Sequence, residues 1–198
     1  MTDELETELR SIALHESGHV ITAFGVGGGV RRVRLRAAGD AVVGLTFPIW
    51  SSRTTRVERI ATFLGGSFAT ASAGELVLPS FGGGDWAATT PRRPVSPQLR
   101  RVIRTFRFDR LAQDDRSLNG DLAVVGALLS GLEPALQKRL FARADRLCRR
   151  ILSTNDRLVK KLASRLLVYG DLNGSQLPEI REQTVQIDPT TLEMVRHA

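Results

Sequence analysis

Residues 15–19 read His-Glu-Ser-Gly-His inside a stretch patterned as a helix. Positions four apart are separated by about one helical turn, so His15 and His19 leave the helix on one face and could hold one metal ion between their imidazoles. Glu16 stands beside them, where a carboxylate can take a proton from a water activated by the metal. This is the H-E-x-x-H arrangement of a zinc-dependent hydrolase. The chain has only three histidines, two of them in this motif. The competing reading is a pair of histidines on an ordinary helix with no ligand role.

The elements that must hold this motif can be read around it. A first helix is expected to start near Thr2, with Asp3 and Glu4 at its positive end. After Ser11 its apolar residues run almost without a break, as a buried metal-binding helix requires, and the run Gly-Val-Gly-Gly-Gly at 25–29 ends it. Two strands follow. Residues 30–36 alternate Val30, Val33 and Leu35 with Arg32, Arg34 and Arg36, and Gly39-Asp40 is a turn before a second apolar run at 41–47 closed by Pro48. An exposed edge strand beside a zinc helix can bind an extended peptide through backbone hydrogen bonds.

A second helix is expected over 55–73, with Gly65-Gly66 inside it and Gly74 placed to cap it. Paired glycines within a helix weaken it and signal close approach of a neighbour. Residues 79–98 are rich in Gly and Pro and read as a long loop. Helical patterns then cover 99–112 and 122–129, a longer helix opened by Pro134, and another capped by Asn155 or Asp156 and ending at Gly170. A turn, DLNG, leads to a short helix near 178–181, and a weakly patterned tail begins at Gln183. The expected fold is mainly α, a zincin-like helical bundle with a small β-sheet of two or three strands beside the zinc-binding helix. The domain is read as 1–182 and the tail as 183–198.

Composition narrows the function classes. A chain of 198 residues, 42% hydrophobic and 25% charged, is ordinary for one soluble domain, and no apolar run is long enough to span a bilayer. The acidic N-terminus MTDELETELR is not a secretory signal. A single cysteine, Cys148, excludes an internal disulfide framework, fits a reducing cytoplasm and reads as buried filler on a helix. The net charge of +7 comes from scattered arginines, with lysine only at 138, 160 and 161. No nucleic-acid signature accompanies them, so a solvated basic surface is expected and a nucleic-acid partner is not.

Three separated segments together resemble the peptidase domain of FtsH-type zinc metalloproteases. They are IALHESGHVITAF with VRRVRL and AVVGLTFP behind it, then RIATFLGGSFATASAGE, then ADRLCRRILSTNDRLVKKLASRLLVYGDLNGSQLPEI. Their shared order, over most of 10–181, carries the resemblance more than the later motifs do singly. Two departures stand out. The family's peptidase follows an ATPase module, yet no G-x-x-x-x-G-K-[ST] loop occurs here. In the Gly-Gly helix, Ser67 and Thr70 stand where the family has Arg and Glu.

A catalytic zinc site needs three protein ligands and one open position. His197, the remaining histidine, lies in the weakly patterned tail and would have to fold back. The resemblance implies instead an aspartate at the start of a helix. Asp121, in SLNGDLAVV, has that pattern and stands immediately before the C-terminal helical pair. Asp85, in GGGDW, is the rival, at a distance from the Gly-Gly helix closer to the family's spacing but with prolines at 91, 94 and 97 behind it.

The resulting expectation is a zinc metalloendopeptidase, with Zn2+ held by His15, His19 and Asp121 and with Glu16 as base. Its substrates would be peptides or unfolded proteins, since no unfoldase is built into the sequence. A homo-oligomer is possible by the same resemblance, which implies ring assembly. The alternative is a non-catalytic interaction module that keeps the fold and the metal.

Overall fold

The computed structural model describes residues 3–38, 41–72 and 120–187. It is mainly helical, with a small antiparallel sheet laid against the helix that carries both histidines. That helix, α1 (Asp3–Gly25), is solvent-exposed on one side near its start, but from Glu16 onward every residue to Gly25 is buried. Such all-round burial explains the unbroken apolar sequence after Ser11: each side of the helix meets a different neighbour.

The helix ends where glycine allows it. Gly27 adopts φ +75°, a left-handed conformation that a side chain would resist, and the Gly28 N–H returns to the Ala23 carbonyl at 2.8 Å. The chain then enters β1 (Gly29–Ala38), which pairs antiparallel with β2 (Ala41–Ile49). Both strands match the alternating runs, each extended slightly beyond the expected range. Val33 faces inward beside Thr46, and Leu35 lies opposite Gly44. The register slips between Val30 and Arg32, leaving Arg31 as an unpaired extra residue, a bulge.

Helix α2 (Arg56–Ser72) begins at a reciprocal cap. The Thr55 hydroxyl accepts from the Glu58 N–H at 3.3 Å, and the Glu58 carboxylate accepts from the Thr55 N–H at 2.5 Å. α1 and α2 cross where Gly18 faces Gly65. A Cβ on Gly65 would lie 2.6 Å from the Gly18 carbonyl oxygen, so only glycine permits this approach. The remaining helices are α3 (Gly120–Leu129), α4 (Pro134–Thr154), α5 (Asp156–Tyr169) and α6 (Pro178–Gln183). α4 packs on α2 and α5 packs on α1, and their shared core holds Ile21, Ile60, Leu147, Ile151, Leu162 and Leu166, all fully buried. Each such side chain contributes about 1.5–3 kcal/mol by leaving water. Cys148 is part of this core, as its helical position suggested, and burial pushes its thiol pKa upward.

One expectation is corrected. The segment read as a DLNG turn forms a short strand, β3 (Asp171–Asn173), which pairs with β1 through Arg32, Val33 and Arg34. Its alternation places Leu172 in the core between exposed or half-exposed neighbours, and the sheet order becomes β2-β1-β3. The start of the tail is also tied down. The Asn155 side chain accepts from the Val185 N–H at 2.8 Å and donates to its carbonyl at 3.1 Å, and the Ile187 N–H reaches Gly25 at 2.9 Å. No helix among the described residues is long and apolar enough to cross a membrane. The expected loop at 79–98, the helix at 99–112, the Gly74 cap, Asp85 and His197 lie outside the described residues.

Candidate metal centre

His15 and His19 leave α1 around the start of its buried half toward the N-terminus of α3, and Asp121, on the first turn of α3, meets them. One carboxylate oxygen, Oδ2, lies 2.9 Å from His15 Nε2 and 3.0 Å from His19 Nε2, while the two Nε2 atoms are 3.0 Å apart. The rings stand edge to face at an interplanar angle of 83°. Among the described residues these three form the one His, Cys, Asp and Glu cluster suited to a metal. Thus the structure brings together both motif histidines and the preferred aspartate.

The hydrogen bond on the far side of His19 decides what these atoms can do. Its Nδ1 is 2.8 Å from the Thr62 carbonyl oxygen on α2. A carbonyl only accepts, so Nδ1 carries the proton and neutral His19 turns its Nε2 lone pair toward Asp121 and His15. A lone pair, a carboxylate oxygen and a second imidazole nitrogen then converge, an arrangement suited to a cation at its centre.

Without a metal that cation is a proton. Burial alone would lower the His19 pKa, but the Asp121 carboxylate, aided by Glu16 and the Thr62 carbonyl, outweighs burial and raises it from 6.5 to about 9. Burial would likewise raise Asp121, yet charge on His19 and hydrogen bonds from both rings hold its carboxyl far below the usual carboxylate range.

The donor set fits zinc. Two ligands of a tetrahedral zinc, each at about 2.0–2.1 Å, stand roughly 3.3 Å apart, close to the separations found here. Two imidazoles and one carboxylate are also a common zinc set that leaves a fourth position free. The His19 side chain is 6% exposed, whereas those of His15 and Asp121 are each 27% exposed, so the cluster opens on their side.

Gly66 keeps the cluster clear. A Cβ there would lie 2.5 Å from Nε2 of both histidines and 2.6 Å from His15 Cδ2, inside the space an ion would need. The expected close approach at the paired glycines therefore has two parts: Gly65 admits α1, and Gly66 admits the imidazoles.

Glu16 is buried to 4% exposure, beside the cluster rather than within it. The Thr46 hydroxyl on β2 donates to Glu16 Oε2 at 2.6 Å. Gly44, two residues earlier on the same strand face, makes room for this carboxylate, because a Cβ there would lie 2.6 Å from Glu16 Cδ. Thr70, where the resemblance expects a glutamate, turns its hydroxyl back to the Ser67 carbonyl at 3.0 Å. The described structure assigns it no bond to His15, His19 or Asp121.

Sequence reasoning missed Thr46, Gly44 and the Thr62 carbonyl. A threonine and a glycine on alternate positions of an apolar strand were a signal that one strand face meets something polar. The backbone carbonyl left no signal at all. No protein-family model matches the chain, and no curated protein matches it.

Proposed function

We propose that this protein is a zinc-dependent metallopeptidase related to the FtsH-type peptidase domain. The observation that carries the reading is the convergence of His15 Nε2, His19 Nε2 and Asp121 Oδ2 near 3 Å, with buried Glu16 directly alongside. Zinc held by these three side chains would supply Lewis acidity at an open fourth position. Glu16 takes a proton from the attacking water and returns it to the leaving amine. Thr46 fixes the direction of the Glu16 carboxylate by donating to one oxygen, which leaves the other to accept the proton. Thr62 sets the His19 tautomer, and Gly66 preserves the space between the rings.

Strand β2 is at the edge of the described sheet and itself carries Gly44 and Thr46, the residues that hold Glu16. An extended peptide adding to that edge would be held through its backbone, so unfolded chains and flexible peptides are the fitting substrates. The lone, fully buried Cys148 supports action in a reducing compartment such as the cytoplasm.

Replacement of Glu16 by Gln tests this reading. Gln preserves shape but accepts no proton, so the variant should keep zinc while hydrolysis of a labelled unfolded protein falls by about 10²–10⁴-fold. Equal turnover by both proteins refutes it. The second reading, a metal-bearing interaction module, is favoured by Thr70, which bonds within its own helix and supports no ligand. Stoichiometric zinc with no hydrolysis of any unfolded substrate would select that reading.

A further inference from the structure

The face of the sheet turned away from α1 carries a second feature that the metal centre does not use. On β1, Arg32 and Arg34 alternate with buried Val33 and therefore share the outer face. Simple alternation would send Arg31 inward, but the bulge at this residue re-aims it. Arg31 and Arg34 accordingly both place their guanidinium carbons 5.6 Å from the centroid of the Phe47 ring on β2. Together with Arg32, Asp171, Asn173 and Gln176 they line a cleft of about 610 Å³.

The charges in this cleft are not balanced. Arg32 is occupied, its guanidinium forked onto Asp171 with Nε at 2.8 and 3.0 Å from the two carboxylate oxygens. Arg31 and Arg34 form no ion pair among the described residues, and the Arg34 Nε is buried with no hydrogen-bond partner there. A buried, unsatisfied N–H on a cation is costly, and neither guanidinium has its charge met by a carboxylate within the cleft, so an incoming oxyanion would pair with them. The neighbouring fork onto Asp171 is an example, in the same cleft, of the carboxylate geometry these arginines accept.

The surroundings indicate what carries that carboxylate. Val43, Leu45 and Ile49 share the outer face with Phe47 and are 40%, 37% and 52% exposed. A row of apolar side chains on the edge strand thus borders a row of arginines on the central strand. We propose that this cleft binds an acidic peptide segment, with carboxylates on Arg31 and Arg34 and apolar side chains along β2. Thr46 and Phe47 are consecutive residues facing opposite sides of β2, so a segment bound here lies across the strand from Glu16. Its role as a substrate segment rests on the peptidase reading; its binding does not.

Binding is therefore measured without hydrolysis, by fluorescence anisotropy on the full chain carrying Glu16→Gln at about 0.15 M salt. The probe is a labelled peptide of alternating Glu and Leu, compared with its Gln and Leu counterpart. The acidic peptide should bind at least tenfold more tightly than the neutral one. Arg31→Gln with Arg34→Gln should remove at least tenfold of that affinity, and Arg31→Gln alone, at an exposed position, about threefold. Arg150→Gln, which removes the same charge from the exposed side of α4, should change nothing. Equal binding of the two peptides overturns the proposal, as does an equal loss from Arg150→Gln. Displacement of the peptide by equimolar inorganic phosphate also overturns it, in favour of a phosphate site. An active peptidase whose cleft variants bind normally would refute this proposal alone, whereas acidic-peptide binding by a chain whose wild type hydrolyses no unfolded substrate would refute only the peptidase reading.

Discussion

Gly66→Ala separates the metal from the fold more sharply than removal of a ligand. The added Cβ would lie 2.5 Å from Nε2 of both histidines, whereas carbon and nitrogen in ordinary contact stand about 3.4–3.5 Å apart. The overlap is thus about 1 Å with each donor atom, twice the roughly 0.5 Å within which a functional site must be held. Zinc affinity should fall at least 100-fold. The fold should suffer less, because overpacking costs about 1–3 kcal/mol while Ala in place of a helical Gly recovers about 1 kcal/mol. Gly65→Ala is the control: its Cβ meets the Gly18 carbonyl oxygen at 2.6 Å and the Thr22 hydroxyl at 2.7 Å rather than the donor atoms. That variant should lose stability by pushing α1 from α2. Chelator competition gives the zinc affinity, and urea unfolding of chelated protein gives the stability. A Gly66→Ala protein that binds zinc like wild type would refute the reasoning, because no ion could then lie where the two Nε2 atoms converge.

Asp121→Ala should weaken zinc binding sharply while Asp85→Ala leaves it near wild type, as read by the same competition; the reverse result would make Asp85 the ligand. Thr46→Val removes the hydrogen bond to Glu16 Oε2 but keeps the side chain's shape, and should lower kcat about 10–100-fold with KM little changed. A changed KM with normal kcat would place Thr46 in substrate binding instead. In chelated protein, the raised pKa of His19 stabilises the fold fully below its ordinary value of 6.5, and this is lost as pH rises through about 9. Urea unfolding of chelated protein should therefore show on the order of 2 kcal/mol less stability at about pH 10 than at about pH 6; a flat profile would show that His19 and Asp121 do not share a proton.

The buried half of α1 was legible because burial on every side leaves only apolar, small or functional residues. His15, Glu16 and His19 stand out against that background. The helix starts near Thr55 and at Pro134 and the stop at Gly170 were legible because they answer local backbone needs. What sequence could not supply was contact across the chain. Three residues, Asp171 to Asn173, become a strand only because β1 presents an open edge to them. Asp121 could be ranked above Asp85 from its helix start, but its approach to the histidines depends on how α3 meets α1, which no local pattern encodes. The bulge at Arg31 left no sequence signal for the same reason, since a bulge is a property of two paired strands.

The strongest physical distinction between a catalytic and a merely structural metal site lies in Glu16. Burying a carboxylate costs several kcal/mol unless its oxygens are satisfied, and a structural site would gain nothing by incurring that cost for a carboxylate that does not join the cluster. Here the sheet is shaped around the carboxylate: Gly44 gives it room, and Thr46 satisfies one oxygen. The side chain is held at the edge of the cluster without joining it. A closed structural site would draw a fourth donor onto the ion, whereas these constraints keep a second carboxylate close and off it. That arrangement has a physical use when something must pass between the metal and Glu16, and a water losing a proton is the smallest candidate.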